Sequence, residues 1–160
     1  AERRARCHAG EITYIATAET GDAEMAERIR QHRQRRPAHW RTVEAPRALP
    51  QALIEESGPQ RLVLVDCLTL WLSGRLAQDD DAALAREAEA LAATLAGLPG
   101  PCLLVANEVG LGIVPDNPLA RRFRDWAGWL NQRMAGQCHE VVLMAAGLPL
   151  WLKDPRSQER

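Results

Sequence analysis

This sequence of 160 residues lacks the features that mark membrane, zinc-binding and disulfide-rich proteins. It has no apolar run of about 18 residues or more, which a membrane-spanning helix needs, and no recognisable signal peptide. The four cysteines are scattered, and none pairs at the short spacing of a zinc site or a redox dithiol: Cys7, Cys67, Cys102 and Cys138. We therefore expect a cytoplasmic protein with reduced thiols and no membrane anchor.

The sequence also lacks an excess of charge of either sign. It has 20 Lys and Arg residues and 21 Asp and Glu residues, which give a formal net charge of −1. A protein with this balance does not attract nucleic acid or a membrane through the charge of its whole surface. A hydrophobic content of 46% and a charged content of 26% are typical of a folded protein with a substantial core. Because no repeat or linker divides the chain, we expect residues 1–160 to form a single domain.

Short apolar runs alternate with longer stretches of helical composition. The runs predict strands at Ile12 to Ala16, Arg61 to Asp66, Cys102 to Ala106 and Val141 to Ala145, with a possible last strand at Leu150 to Lys153. The stretches between them predict helices at Asp22 to Arg36, Pro46 to Glu56, Leu68 to Leu76, Asp81 to Leu98 and Pro118 to Gly136. This alternation indicates an α/β fold with a mostly parallel sheet and helices on both faces.

A histidine lies within an unusual cluster of arginines. His32 is surrounded in sequence by Arg28, Arg30, Arg33, Arg35, Arg36 and Arg41, and the segment ends at Glu44. Arginine presents a planar fork of donors to phosphate oxygens, and a neutral histidine can act as a nucleophile near neutral pH. The cluster therefore favours a polyphosphate ligand and phosphoryl or nucleotidyl transfer.

The same cluster has a purely structural interpretation. Met25, Ile29 and His32 fall at helical spacing, so His32 lies on or beside an apolar stripe. The arginines would then form a solvated face of the helix. Spacing alone leaves both interpretations open.

Polar residues follow two of the predicted strands. Asp66 ends a buried strand, in the arrangement that holds Mg²⁺ in many nucleotide-binding proteins, although such an aspartate can also cap the next helix. Asn107 and Glu108 follow the next strand, before Gly110 and Gly112, where the alternative is an ordinary turn. Ligands of parallel sheets bind at the carboxyl ends of the strands, so these residues are candidates for a site.

Trp40 is a further candidate. It lies between His39 and Arg41, just after Pro37, in a segment that we expect to be a loop. An indole ring there could meet a nucleobase or another large flat ligand.

Five segments resemble one family over nearly the whole chain, and they are YIATAE, AERIRQHRQRRPAHWRTVE, VDCLTLWLS, ANEVGLGIVPDNPLARRFRDWAGWLNQRMA and AAGLPLWLK. That family is the bifunctional adenosylcobinamide kinase/adenosylcobinamide-phosphate guanylyltransferase of cobalamin biosynthesis. The most specific parts are the pattern His-Arg-x-x-Arg-Pro-x-x-Trp-x-Thr-x-Glu and the run Asn-Glu-Val-Gly-x-Gly-Ile-Val-Pro. Neither is a general nucleotide-binding pattern.

The resemblance implies a RecA-like P-loop NTPase fold and two reactions. Members phosphorylate adenosylcobinamide with a nucleoside triphosphate such as ATP, then transfer GMP from GTP to adenosylcobinamide phosphate through a GMP-histidine, releasing pyrophosphate. His32 falls at the position of the guanylylated histidine. The family's GTP contacts fall on Ala16, Thr17, Ala18, Arg33, Gln34, Arg35, Arg36, Glu44 and Asp66. The resemblance also implies a homo-oligomer, and Asp66 would help to position Mg²⁺.

One part of the family pattern is not found in this sequence. The family begins with a strand and a glycine-rich P-loop ending in Gly-Lys-Ser, whereas this sequence starts at Ala1-Glu2-Arg3-Arg4, which resembles the helix after such a loop. A P-loop supplies backbone donors, a lysine and a Mg²⁺-binding hydroxyl. We expect a preceding segment to supply them, and we expect an exposed strand edge where the first strand is missing.

Two other classes of protein remain as alternatives. One is a non-catalytic nucleotide-binding or scaffold protein that lost the P-loop. The other is an RNA-binding module that uses Arg28 to Arg41, whose binding would depend steeply on salt rather than on GTP and Mg²⁺. The balanced charge disfavours RNA.

Overall fold

A computed structural model describes residues 1–19 and 21–154 of the chain. The strands are β1 (Glu11–Ala16), β2 (Arg41–Glu44), β3 (Arg61–Asp66), β4 (Cys102–Val105), β5 (Val141–Ala145) and β6 (Leu148–Lys153). The helices are α1 (Glu2–Ala5), α2 (Ala23–Arg35), α3 (Leu49–Glu56), α4 (Leu68–Leu76), α5 (Asp81–Ala96) and α6 (Pro118–Gln137). No helix in these two ranges combines the length and the apolarity needed to cross a membrane.

The central sheet is parallel and has four strands in the order β2-β1-β3-β4. β1 and β3 are buried on both faces, and side chains alternate between two apolar cores because successive residues of a strand point to opposite faces. The larger core packs Ile15, Val63 and Val65 against α3, α4, α5 and α6. The smaller core, on the other face, holds Ile12, Tyr14, Trp40, Leu62 and Leu64 with Ala5 of α1. The predicted α/β fold with a mostly parallel sheet is confirmed.

β2 is the strand that sequence reasoning missed. Its residues, Arg41-Thr42-Val43-Glu44, are mostly exposed, so they lack the apolar pattern that predicts a strand. Pairing with β1 defines it, from Thr13 opposite Arg41 to Ala16 opposite Glu44. The hydrogen bonds between β1 and β2 continue past the end of β2, because Ala45 N–H donates to Ala16 C=O at 2.9 Å. α3 consequently begins at Leu49 instead of the expected Pro46.

The last two strands form a separate antiparallel hairpin outside the four-stranded parallel sheet. Ala146 and Gly147 connect them with φ angles of 51° and 77°, and a two-residue turn with positive φ joins only antiparallel neighbours. The hairpin exposes apolar side chains at Met144, Leu148, Leu150, Trp151 and Leu152. Within the described residues, β4 forms one edge of the parallel sheet.

Candidate active site

The candidate site lies at the carboxyl ends of the central strands. The strand registers place Glu44, Ala16 and Asp66 side by side as the last residues of β2, β1 and β3. Ligands of parallel sheets bind at this edge. The fold therefore brings together three of the residues that the sequence singled out, although they are far apart along the chain.

α2 brings the histidine to this edge. The helix is capped by Asp22, whose side chain accepts a hydrogen bond from Met25 N–H at 2.8 Å, as expected for an N-cap aspartate. His32 lies in its last turn, and Arg36 follows one turn later on the same side. The histidine is half-buried, with 44% of its side chain exposed. It therefore remains accessible to a ligand.

Four side chains surround the imidazole ring of His32. Nδ1 lies 3.2 Å from the hydroxyl oxygen of Tyr14, 3.4 Å from Nη2 of Arg36 and 3.9 Å from Oδ2 of Asp66. Nε2, on the other side of the ring, lies 3.4 Å from a carboxylate oxygen of Glu2 in α1. Both ring nitrogens are therefore oriented by specific partners, which favours a functional histidine over one that merely lies beside an apolar stripe.

Tyr14 connects the histidine to the strand-end carboxylate. Its hydroxyl donates a short hydrogen bond to Oδ2 of Asp66, and the guanidinium carbon of Arg36 lies 3.2 Å from the centre of its ring, in a cation–π contact. Burial, followed by the hydrogen bond to Asp66, raises the pKa of the Tyr14 hydroxyl far above its usual range. The phenol therefore remains protonated at neutral pH.

A cavity of about 460 Å³ opens beside this cluster. Its lining includes Arg33, Arg36, Trp40, Thr42 and Glu44. Arg33 forms an ion pair with Glu44, and Arg36 Nη1 donates to Thr42 Oγ1 at 2.7 Å. The cavity has the volume and the positive groups that a nucleotide needs.

Trp40 occupies a different environment from the one expected. It precedes β2, as the loop prediction required, but only 5% of its surface is exposed and it packs in the smaller core. Its indole belongs to the same buried apolar cluster as Ile12 and Leu64. The expectation that this indole meets a ligand as an open stacking surface is not supported, although it contributes to the cavity wall.

The other predicted nucleotide contacts have different positions. Ala16 and Ala18 are half-buried beside the site, while Thr17 between them is 1% exposed and bonds to the backbone of Cys67. Gln34 and Arg35 are exposed on α2 and do not line the cavity. Arg36 and Asp66 lie within 4 Å of the His32 ring. Arg33 and Glu44 line the neighbouring cavity together with Arg36, whereas His32, Asp66, Gln34 and Arg35 are not among its lining residues.

The segment after β4 forms a turn. Glu108 Oε1 accepts a hydrogen bond from Gly110 N–H at 2.8 Å, so its carboxylate closes the turn. Asn107 N–H donates to Thr69 Oγ1 at 2.7 Å, and Asn107 C=O accepts from Asn131 at 3.2 Å. These contacts favour the structural interpretation of the segment.

Asp66 is the residue that could hold a metal ion. Among residues 1–19 and 21–154, no group of three or more His, Cys, Asp and Glu side chains is arranged to bind one. Mg²⁺ bound with a nucleotide needs only one or two carboxylates, because phosphates and water complete its shell. Tyr14 donates its hydrogen bond to Oδ2 of Asp66. Because a carboxylate has a second oxygen, Asp66 could also contribute one ligand to Mg²⁺ bound in this way.

Tyr14 and Glu2 are the residues of this site that sequence reasoning missed. Tyr14 is the single tyrosine of the chain and lies in an apolar strand, which is typical of core packing. Glu2 lies in a four-residue helix with no motif of its own. Only the fold shows that both meet His32.

A parallel α/β sheet with arginines and an oriented histidine at its carboxyl edge fits a transferase that acts on nucleotides. Comparison with known proteins agrees with this class. Residues 1–152 match the family described as cobinamide kinase / cobinamide phosphate guanyltransferase, and the chain belongs to that family.

Three curated relatives are similar over most of their length. The bifunctional adenosylcobalamin biosynthesis protein CobP of Pseudomonas aeruginosa is 52% identical over 153 residues, which cover 96% of this chain and 88% of the relative. The bifunctional adenosylcobalamin biosynthesis protein CobU of Salmonella typhimurium is 40% identical, with 91% and 87% covered. The protein of the same name from Escherichia coli is 38% identical, with 89% and 86% covered.

Proposed function

We propose that His32 is the residue through which this cobinamide kinase and cobinamide phosphate guanylyltransferase transfers GMP. The observation that carries the proposal is the position of His32, which contacts both Arg36, an arginine of the cavity, and the Tyr14–Asp66 pair at the carboxyl edge of the sheet. A histidine nucleophile needs an oriented ring, an accessible nitrogen and positive groups for the phosphate. The surroundings of His32 supply all three.

The transfer comprises two displacements at the α-phosphorus of GTP. In the first, an imidazole nitrogen of His32 forms a bond to phosphorus, and the bond to the β-phosphate breaks with its electron pair on pyrophosphate. In the second, a phosphate oxygen of adenosylcobinamide phosphate attacks, and the electron pair of the N–P bond returns to the imidazole. Arg33 and Arg36 would stabilise the charge that develops on the non-bridging oxygens.

We assign the guanine ring and the metal ion to neighbouring positions in the site. Glu44 lines the cavity, and its carboxylate can accept hydrogen bonds from N1–H and the amino group of guanine, donors that adenine does not offer in the same arrangement. Asp66 would contribute a ligand to Mg²⁺, and the ion would neutralise the leaving pyrophosphate when bound. Ala16, Ala18 and the backbone beside them would border the nucleotide.

The remaining proposals concern partners and setting. GTP and ATP are the proposed nucleotides, and adenosylcobinamide and its phosphate are the proposed acceptors. A homo-oligomer would cover the apolar face of the β5–β6 hairpin, whose exposed side chains include Trp151 and Leu152. A cytoplasmic location suits both the nucleotide substrates and the free thiols of the four cysteines.

The decisive experiment follows label from GTP to protein. The native-length protein is incubated with GTP labelled at the α-phosphate and Mg²⁺, and we expect label that is lost in acid and stable in base, as a phosphoramidate is. His32→Ala should abolish it. His39→Ala is the matched control, because His39 is an exposed histidine only seven residues away. Persistent label in His32→Ala with loss in His39→Ala would move the nucleophile to His39.

A further inference from the structure

Thr42 belongs to one of the two most specific patterns of the sequence, but the function proposed above gives it no role. Its hydroxyl oxygen accepts a hydrogen bond from Nη1 of Arg36 at 2.7 Å, and both residues line the cavity. We propose that Thr42 is a positioning residue, which holds the guanidinium of Arg36 where it meets the α-phosphate during GMP transfer. This inference rests on the proposed function and adds a residue to it.

The sheet builds the place where this guanidinium lies. Thr42 of β2 and Tyr14 of β1 are register partners, and such partners in neighbouring strands point their side chains to the same face of the sheet. Arg36 contacts both residues. Its guanidinium carbon lies 3.2 Å from the centre of the Tyr14 ring, and its Nη1 donates to the Thr42 hydroxyl. The ring thus supports one face of the guanidinium, and the hydroxyl holds its edge.

Few other contacts hold the guanidinium of Arg36. Its Nε is buried and has no hydrogen-bond partner within residues 1–19 and 21–154. Its Nη2 lies 3.4 Å from Nδ1 of His32, which is longer than a typical hydrogen bond of an N–H group. The bond to Thr42 is the shorter of the two contacts. Because an arginine side chain has many rotamers, loss of this bond should let the guanidinium move away from His32.

A neutral acceptor suits this task better than a carboxylate. A hydroxyl orients the guanidinium without neutralising its charge, so the charge remains available to a phosphate. Glu44 and Asp66 end the two strands on either side of β1, and either carboxylate would attract a guanidinium released by Thr42. Arg33 illustrates that outcome, because it forms an ion pair with Glu44.

The position of Arg36 matters most while GMP is being transferred. In each displacement, charge on the non-bridging oxygens is stabilised best by donors that are already in place. Arg36 lines the cavity and also lies within 3.4 Å of the ring of the proposed nucleophile. A guanidinium held there can contact the α-phosphate both in GTP and on His32. Thr42 contributes no atom to the reaction and acts through Arg36.

The test compares Thr42→Val with Thr42→Ser in native-length protein, given α-labelled GTP and Mg²⁺. Valine has nearly the shape of threonine but no hydroxyl, whereas serine keeps the hydroxyl. At saturating GTP we expect Thr42→Val to slow labelling of His32 by about 10-fold, less than the roughly 10²- to 10³-fold loss that follows removal of a transition-state donor outright. Thr42→Ser should retain most of the wild-type rate. Circular dichroism verifies that each variant is folded.

A double-mutant cycle shows whether Thr42 acts through Arg36. Arg36→Met removes the guanidinium and keeps an unbranched side chain. In this background Thr42→Val should slow labelling no further, because the group that Thr42 positions is gone. An equal effect in both backgrounds would overturn the inference, since the hydroxyl would then act on the nucleotide directly. A Thr42→Val variant with the wild-type rate, or a Thr42→Ser variant as slow as Thr42→Val, would overturn it as well.

A second readout separates this inference from the proposed function. Wild-type protein that binds GTP but never becomes labelled at His32 would overturn the proposed function. The same cycle, measured on GTP affinity by titration calorimetry, then decides whether Thr42 orients Arg36 toward the phosphates. Losses of affinity that do not add would support that role, and losses that add would refute it. Wild-type protein that binds no GTP would overturn both the function and the inference.

Discussion

Replacement of Thr17 by valine tests the hydrogen bonds that join the end of β1 to the residue after β3. Thr17 is 1% exposed, and its hydroxyl donates to Cys67 C=O and accepts from Cys67 N–H, both at 2.7 Å. Valine has nearly the same shape but neither hydrogen bond. The Cys67 carbonyl keeps partners in α4, at Leu70 N–H and Trp71 N–H, each at 3.1 Å. The Cys67 N–H would lose the side-chain acceptor that satisfies it.

The magnitude follows from these contacts. A buried N–H without a partner costs about 1–3 kcal/mol, and the lost bond to the carbonyl adds about 0.5–1.5 kcal/mol. We therefore expect Thr17→Val to lower the free energy of unfolding by about 1.5–4.5 kcal/mol. Thr17→Ser is the control, because it keeps the hydroxyl and loses one methyl group, at about 1 kcal/mol.

Urea unfolding followed by circular dichroism measures both variants at the same pH and protein concentration. Because Cys67 follows Asp66 directly, Thr17→Val should also reduce guanylylation of His32, while Thr17→Ser should not. A valine variant as stable as the serine variant would refute the reasoning. Loss of the two hydrogen bonds would then cost no more than loss of one methyl group.

Two further predictions concern stability alone. Burial, followed by the nearby Cys138, raises the pKa of the Cys102 thiol to about 12. In the unfolded chain the thiol pKa is about 8.5, so the unfolded chain loses this proton at a lower pH than the folded protein. The free energy of unfolding should therefore fall as pH rises above about 8.5. Urea unfolding at pH 7.5 and pH 9.5 should show this fall, and a Cys102→Ala variant with an equal fall would contradict it. Asp80 caps α5 by accepting from Ala83 N–H at 2.7 Å, so Asp80→Ala should cost about 1 kcal/mol with an unchanged rate of GMP labelling. A changed rate of GMP labelling with an unchanged free energy of unfolding would contradict the role of Asp80 as a helix cap.

The sequence was sufficient to predict the elements with strong patterns. The apolar runs of β1 and β3 and the helices with clear caps lie within a few residues of their predicted bounds. β2 was missed because most of its side chains are exposed, and only its partner strand makes it a strand. Both strands of the hairpin were predicted as strands, but their pairing was not, because an apolar run does not show which neighbour it pairs with.

The candidate site also has a part that the sequence predicts and a part that only the fold shows. A dense group of arginines around His32 is visible in the sequence because charge and spacing are local properties. The contact between Tyr14 and Asp66 spans 52 residues of sequence, so only the strand register reveals it. The single-domain assignment and the nucleotide contacts of individual residues stay predictions.

The way in which α2 is attached has a consequence for ionic strength. This helix has no fully buried residue, and polar contacts near its carboxyl end connect it to the sheet, from His32 to Tyr14 and from Arg33 to Glu44. Exposed ion pairs weaken at high salt, where the screening length falls to about 3 Å at 1 M, whereas apolar burial does not depend on charge. The environment of His32 should therefore respond to salt concentrations that leave the two cores of the protein unchanged.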